Sequence, residues 1–146
     1  MKVLLGSDHA GFHLKEDLKK FIQSLGHEVE DYGIYTDEPF DYPDVAIRLA
    51  KDVAEGKGAR GILICGTGVG MSIAANKVKG IRAALCHDVF SARASREHNN
   101  ANILTMGERV IGKGLAREIV KVWLETEFQG ERHARRLEKI ERYERS

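Results

Sequence analysis

Five short apolar runs separated by helical stretches constrain this 146-residue chain more than any other feature. Lys2–Ser7, His27–Gly33, Ile62–Ile64, Ile81–Cys86 and Ile103–Gly107 read as strands. Ala10–Leu25, Val45–Glu55, Met71–Lys77, Val89–His98 and Gly112–Phe128 read as helices, the first with Leu14, Leu18, Phe21, Ile22 and Leu25 mostly at helical spacing and Gly26 as its stop. Strands that alternate with helices pair in parallel, because a crossover helix returns each strand to the same end of the sheet. The expected fold is therefore a three-layer α/β/α sandwich around a five-stranded parallel sheet with right-handed crossovers. Ile62, Leu63 and Ile64 carry no charge, the pattern of a strand buried on both faces. His27–Gly33 is more polar and suits an edge. A flavodoxin-like strand order, 2-1-3-4-5, follows as the expectation.

In that order strands one and three are neighbours where the winding reverses, so a crevice opens between the turns that follow them. Those turns are Asp8-His9-Ala10-Gly11 and Cys65-Gly66-Thr67-Gly68-Val69-Gly70. Glycines at alternate positions let the backbone approach a ligand, and the free amides of a helix start favour a phosphate or an oxyanion. The spacing is not a dinucleotide fingerprint, and no Gly-Lys-Ser/Thr ending makes a nucleoside-triphosphate loop. Cys65 reads either as a small buried hydrophobe or as a reactive thiol. Asp8 reads as an N-cap or as a site carboxylate, and His9 beside it can donate to an anion.

Other segments carry similar pairs of readings. Tyr35–Pro43 holds both prolines and two tyrosines, Tyr35 and Tyr42, either as a cleft wall or as a solvated connection. His98 with Asn99 can cap a helix, or can bond sugar hydroxyls and shuttle a proton. Arg109 follows the fifth strand. In a charged helix over 131–146, Arg132 and Arg136 lie one turn apart; they form either a phosphate clamp or a face solvated and paired with Glu138, Glu141 and Glu144.

A formal net charge of +1 gives no reason to expect nucleic acid or an acidic membrane as partner. Cys65 and Cys86 make no disulfide framework, no apolar run approaches a membrane span, and Met1–Leu5 enters a strand directly. A cytoplasmic protein with reduced thiols is expected.

In order along the chain, Gly6-Ser7-Asp8-His9-Ala10-Gly11, Ile64-Cys65-Gly66-Thr67-Gly68-Val69-Gly70-Met71-Ser72, Glu97-His98-Asn99 and the late arginines resemble the type B ribose-5-phosphate isomerases. The wider family includes allose- and galactose-6-phosphate isomerases. The likeness covers essentially the whole chain and implies one sugar-phosphate isomerase domain over 1–146, with the helix 131–146 completing the phosphate site. It implies a metal-independent, cofactor-free interconversion of ribose 5-phosphate and ribulose 5-phosphate through a cis-enediolate. Cys65 would be the base, in a family where some members use a glutamate elsewhere; a helix N-terminus beyond it favours the thiolate. Gly66, Gly68, Val69 and Gly70 would hold the enediolate oxygen, with Ser72 beside them and Thr67 exchanging protons with the sugar oxygens. His98 would open the furanose, Asp8, Tyr42 and Asn99 would position hydroxyls, and His9, Arg109, Arg132 and Arg136 would bind phosphate. The same resemblance implies a homodimer or dimer of dimers in which His98, Asn99 and Arg109 enter the partner's site. A hexose 6-phosphate isomerase and a non-catalytic phosphate-binding module are the alternatives.

Overall fold

The computed structural model describes all 146 residues. In chain order it contains β1 (Lys2–Ser7), a 3-10 turn (His9–Gly11), α1 (Phe12–Ser24), β2 (Glu28–Asp31), α2 (Tyr42–Ala54), β3 (Arg60–Cys65) and α3 (Val69–Ala75). Then follow β4 (Ala83–Leu85), α4 (Val89–Glu97), β5 (Ile103–Gly107), α5 (Lys113–Glu125) and α6 (Arg132–Arg145). All five strands pair in parallel, and β3 is central and buried throughout.

The order is β2-β1-β3-β5-β4, so the last two strands are exchanged relative to the expected 2-1-3-4-5. Burial sorts the two strands: β4 is half-buried along its length and β5 is buried throughout. Arg82 immediately precedes β4, and its guanidinium needs the Asn100 carbonyl and Glu141, partners found at a sheet margin. β5 carries no charge, and all five of its residues are buried between neighbours.

Alternation along the strands sends Leu5, Ile62, Ile64, Leu104 and Met106 to one face, against α1, α4 and α5 with Trp123. Leu4, Leu63, Cys65 and Ile103 face the other way, against Leu49 of α2 and Met71 of α3. Helices on steps toward the β2 edge share one face, and helices on steps toward the β4 edge share the other, as crossovers of a single hand require. The turn after β3 therefore departs to one face while the turns after β1 and β5 depart to the opposite one. A crevice flanks the Cys65 turn on both sides, not only toward β1.

Two local boundaries differ from expectation. α2 starts at Tyr42, with Pro43 in its first turn where a missing N–H costs nothing, so Tyr42 belongs to a helix start and not to the preceding loop. α3 starts at Val69, directly after Gly68 and two residues before the expected Met71, so Gly70 lies inside the helix. No helix is long and apolar enough to cross a membrane.

Candidate active site

Cys65 ends β3, and the chain must turn at once so that Met71 can bury itself. Gly68 makes the turn possible: its φ is +80°, and a Cβ there would lie 2.9 Å from Met106 backbone atoms. Its N–H donates to Cys65 Sγ at 3.1 Å, and its carbonyl accepts from Thr105 Oγ1 at 3.0 Å. The Val69 N–H is spent on Thr67 Oγ1 at 3.2 Å. The amides of Gly66, Thr67 and Gly70 remain uncommitted, so fewer donors than the whole glycine run are free for a ligand.

The turn after β1 packs directly on this one, since a Cβ at Gly11 would lie 2.4 Å from the Ile64 carbonyl oxygen. Asp8 has both of its anticipated roles. Oδ1 accepts the Ala10 and Gly11 N–H groups at 3.0 and 3.2 Å, and the residue also lines the cleft with Oδ2 uncommitted. His9 Nδ1 accepts the Phe40 N–H at 3.1 Å, which places the proton of a neutral ring on Nε2. Tyr42 lies over Gly70, where a Cβ would meet its ring at 2.6 Å.

On the β5 side, the Glu108 and Arg109 N–H groups donate to the Cys65 and Gly66 carbonyls at 3.0 and 3.1 Å. Arg109 runs alongside Gly66, and its guanidinium faces the cleft with no ion pair or hydrogen bond within the chain. This corrects one expectation: Arg109 sits in its own chain's cleft, because β5 and not β4 is the neighbour of β3. The cleft measures about 420 Å³, with the buried Cys65 at its floor and His9, Tyr42, Thr67 and Arg109 around it. A larger hollow of about 520 Å³ lies beside it under Tyr32, Tyr35 and Phe40, but it holds neither thiol nor glycine turn.

The sequence signature of ribose/galactose isomerases matches residues 3–140. The chain belongs to the ribose/galactose isomerase family. The solved ribose-5-phosphate isomerase B of Clostridium thermocellum superposes with a TM-score of 0.98 at 54% identity, over 99% of this chain and 98% of that one. Ribose-5-phosphate isomerase B of Escherichia coli is 48% identical over 139 residues, 95% of this chain and 93% of the relative. The D-erythrulose-4-phosphate isomerase of Pectobacterium atrosepticum is 48% identical over 145 residues, 99% of this chain and 95% of the relative. This protein is accordingly an isomerase.

Of the family-like residues, Asp8, His9, Tyr42, Cys65, Gly66, Thr67, Val69, Gly70 and Arg109 meet in one cleft. Gly68 is buried beneath it and Ser72 is not on its wall. His98, Asn99, Arg132 and Arg136 lie elsewhere. α4 runs antiparallel to the strands, so His98 at its C-cap and Asn99 after it sit at the opposite end of the sheet from Cys65. There the His98 ring stacks on His133, with centroids 4.5 Å apart and planes 16° from parallel. Arg132 and Arg136 are exposed on α6 on either side of that buried His133.

Three residues of this isomerase escape sequence reasoning. His133 is buried with an unpartnered Nε2; burial and the nearby Arg132 push its pKa down. Its spacing of four from buried Leu137 marks the inner stripe of α6 and was the available signal. His87 Nε2 accepts the Gly107 N–H at 2.9 Å, and burial lowers its pKa, which preserves that acceptor. Gly107 touches the Thr67 backbone, as a strand-end glycine beside the turn can. No group of three or more His, Cys, Asp or Glu side chains gathers as metal ligands would.

Proposed function

We propose that this isomerase interconverts ribose 5-phosphate and ribulose 5-phosphate through a cis-enediolate, with Cys65 moving the proton between C2 and C1. The observation that carries the reading is a thiol on the cleft floor whose sulfur accepts an amide hydrogen, below an unpaired arginine. That amide holds the sulfur in place at the cleft floor. The thiolate takes the C2 proton, the C–H electrons form the C1–C2 double bond, and the C1 carbonyl oxygen becomes the enediolate oxygen. The free amides of Gly66, Thr67 and Gly70 face that developing charge, and the Thr67 hydroxyl relays a proton between O2 and O1. Delivery of a proton from Cys65 to C1, either the one taken from C2 or one exchanged with solvent at the thiol, completes the ketose.

The phosphate falls to Arg109, as a planar fork, and to His9 through Nε2–H. A second copy of the chain supplies His98 to open the furanose, Asn99 to hold a hydroxyl, and Arg132 with Arg136 to close on the phosphate. Their place at the far end of the sheet supports a site shared in a homodimer or dimer of dimers, with the 131–146 helix completing it. Free thiols at Cys65 and Cys86 suit a reducing cytoplasm.

A second reading, erythrulose 4-phosphate as substrate, is favoured by the Pectobacterium relative's name. Coupled assays with ribose 5-phosphate, erythrulose 4-phosphate, allose 6-phosphate and galactose 6-phosphate decide between them. The highest kcat/KM is expected with ribose 5-phosphate, and negligible turnover of it would overturn the first reading.

A further inference from the structure

Glu108 has no part in the chemistry above, yet its carboxylate accepts the Leu14 N–H at 2.6 Å across a sequence separation of 94. The amides at the start of α1 have no acceptor inside the helix. The fold meets this need from two sides: Asp8 takes Ala10 and Gly11 from the turn after β1, and Glu108 takes Leu14 from the turn after β5. Asp8 is a local cap. Glu108 is not, and the residue next to it is Arg109.

Three bonds hold the Glu108-Arg109 pair. The two backbone N–H groups fix it to the Cys65 and Gly66 carbonyls, and the Glu108 side chain fixes it to α1. The Arg109 guanidinium has no bond of its own within the chain, so the frame of this turn decides where the cation starts. The location of the carboxylate matters as much as the tether. One residue from Arg109, it could neutralise the guanidinium, but its engagement with Leu14 keeps the two apart.

We infer that Glu108 is a positioning residue: by capping α1 it aims Arg109 at the substrate phosphate and withholds its own negative charge from it. This rests on the assignment of Arg109 to the phosphate. A helix-cap role alone predicts lost stability and nothing more, so binding and stability must be read together.

The test compares KM and kcat for ribose 5-phosphate, the inhibition constant of inorganic phosphate, and Tm in Glu108→Ala, Glu108→Asp, Glu108→Gln, Arg109→Ala and the Glu108→Ala/Arg109→Ala double variant. Arg109→Ala should raise KM and the phosphate inhibition constant by about tenfold or more. Glu108→Ala should raise both by about threefold to tenfold with kcat within about twofold, because phosphate is held in substrate and transition state alike. Glu108→Asp, a methylene too short to reach Leu14, should do the same, and Glu108→Gln should restore most of the affinity through its amide oxygen. The double variant should bind no worse than Arg109→Ala, since nothing remains to position. Asp88→Ala, which removes the cap bonds to Ser91 at the start of α4, should lower Tm without moving either constant. Unchanged constants in Glu108→Ala and Glu108→Asp, with a clear rise in Arg109→Ala, overturn the inference alone. Unchanged constants in Arg109→Ala overturn the phosphate assignment and the inference with it.

Discussion

Gly107→Ala is the sharpest test of how the catalytic turn is held. The added Cβ would lie 2.5 Å from the Gly66 carbonyl oxygen and from Thr67 Cα, and 2.6 Å from the Thr67 carbonyl carbon. These are backbone atoms, so no side chain can swing aside. Ordinary contact begins at 3.4 Å, and the turn must therefore withdraw by about 0.9 Å. From below, Gly68 already rests on Met106 backbone, which leaves withdrawal toward the cleft as the way out. A displacement of about 1 Å in a reacting group costs on the order of 100-fold in rate, so kcat should fall by about that factor. Overpacking costs about 1–3 kcal/mol, or roughly 2–12 °C in Tm. Steady-state kinetics and thermal melts should be run beside Gly61→Ala, whose Cβ meets the Leu49 side chain at 2.6 Å near the far end of β3. That control should lose stability and keep kcat. A Gly107→Ala enzyme within about threefold of the parent kcat would show that the turn is not held in place by this contact.

Asp31→Ala should cost about 3–5 kcal/mol in urea unfolding, because it leaves the fully buried Lys15 ammonium without the two oxygens it bonds at 2.8 Å. A loss below about 1 kcal/mol would contradict this. Burial pushes the Asp31 carboxyl up, but the Lys15 and Gly33 bonds outweigh it and hold the folded pKa below the ordinary value. The pair's stabilisation is therefore present above the unfolded carboxylate pKa of about 3.9 and is lost as pH falls through the lower folded one. The gap between parent and variant should narrow in that acid range and stay constant from there to neutrality. Mixing Cys65→Ala with His98→Ala subunits, each inactive alone, should restore activity at about a quarter of the sites if every site joins two chains. Mixtures that stay inactive despite subunit exchange would place both groups in one chain's site.

How much of this was legible in the sequence depends on how local each determinant is. The charge-free run at Ile62–Ile64 and the polar run at His27–Gly33 marked the centre and one edge, and both positions hold. The same charge criterion, applied to Arg82 against Ile103–Gly107, would have placed β5 inside and β4 at the edge. The expected order passed over it. The convergence of Asp8 and His9 on Cys65 needed only the β1/β3 adjacency, which both orders share. Arg109 was given to a partner's site by family likeness, whereas the β3/β5 adjacency sets it beside its own chain's Cys65 turn. Tyr42 belongs to a helix whose start Pro43 signals. Glu108 had no local signal at all, since its partner is 94 residues away. The roles of His98, Asn99, Arg132 and Arg136 came from family likeness, and one chain's geometry holds them apart from the thiol.

Solvent isotope exchange addresses the central claim, that Cys65 carries the proton through an enediolate, most directly. Ribose 5-phosphate should be incubated in D2O with the parent enzyme and with Cys65→Ala, and deuterium at C1 of the ketose followed by proton NMR. The parent should incorporate deuterium in part, and Cys65→Ala should show neither incorporation nor conversion while still binding inorganic phosphate with the parent's affinity. Exchange or conversion by Cys65→Ala near the parent rate would contradict it.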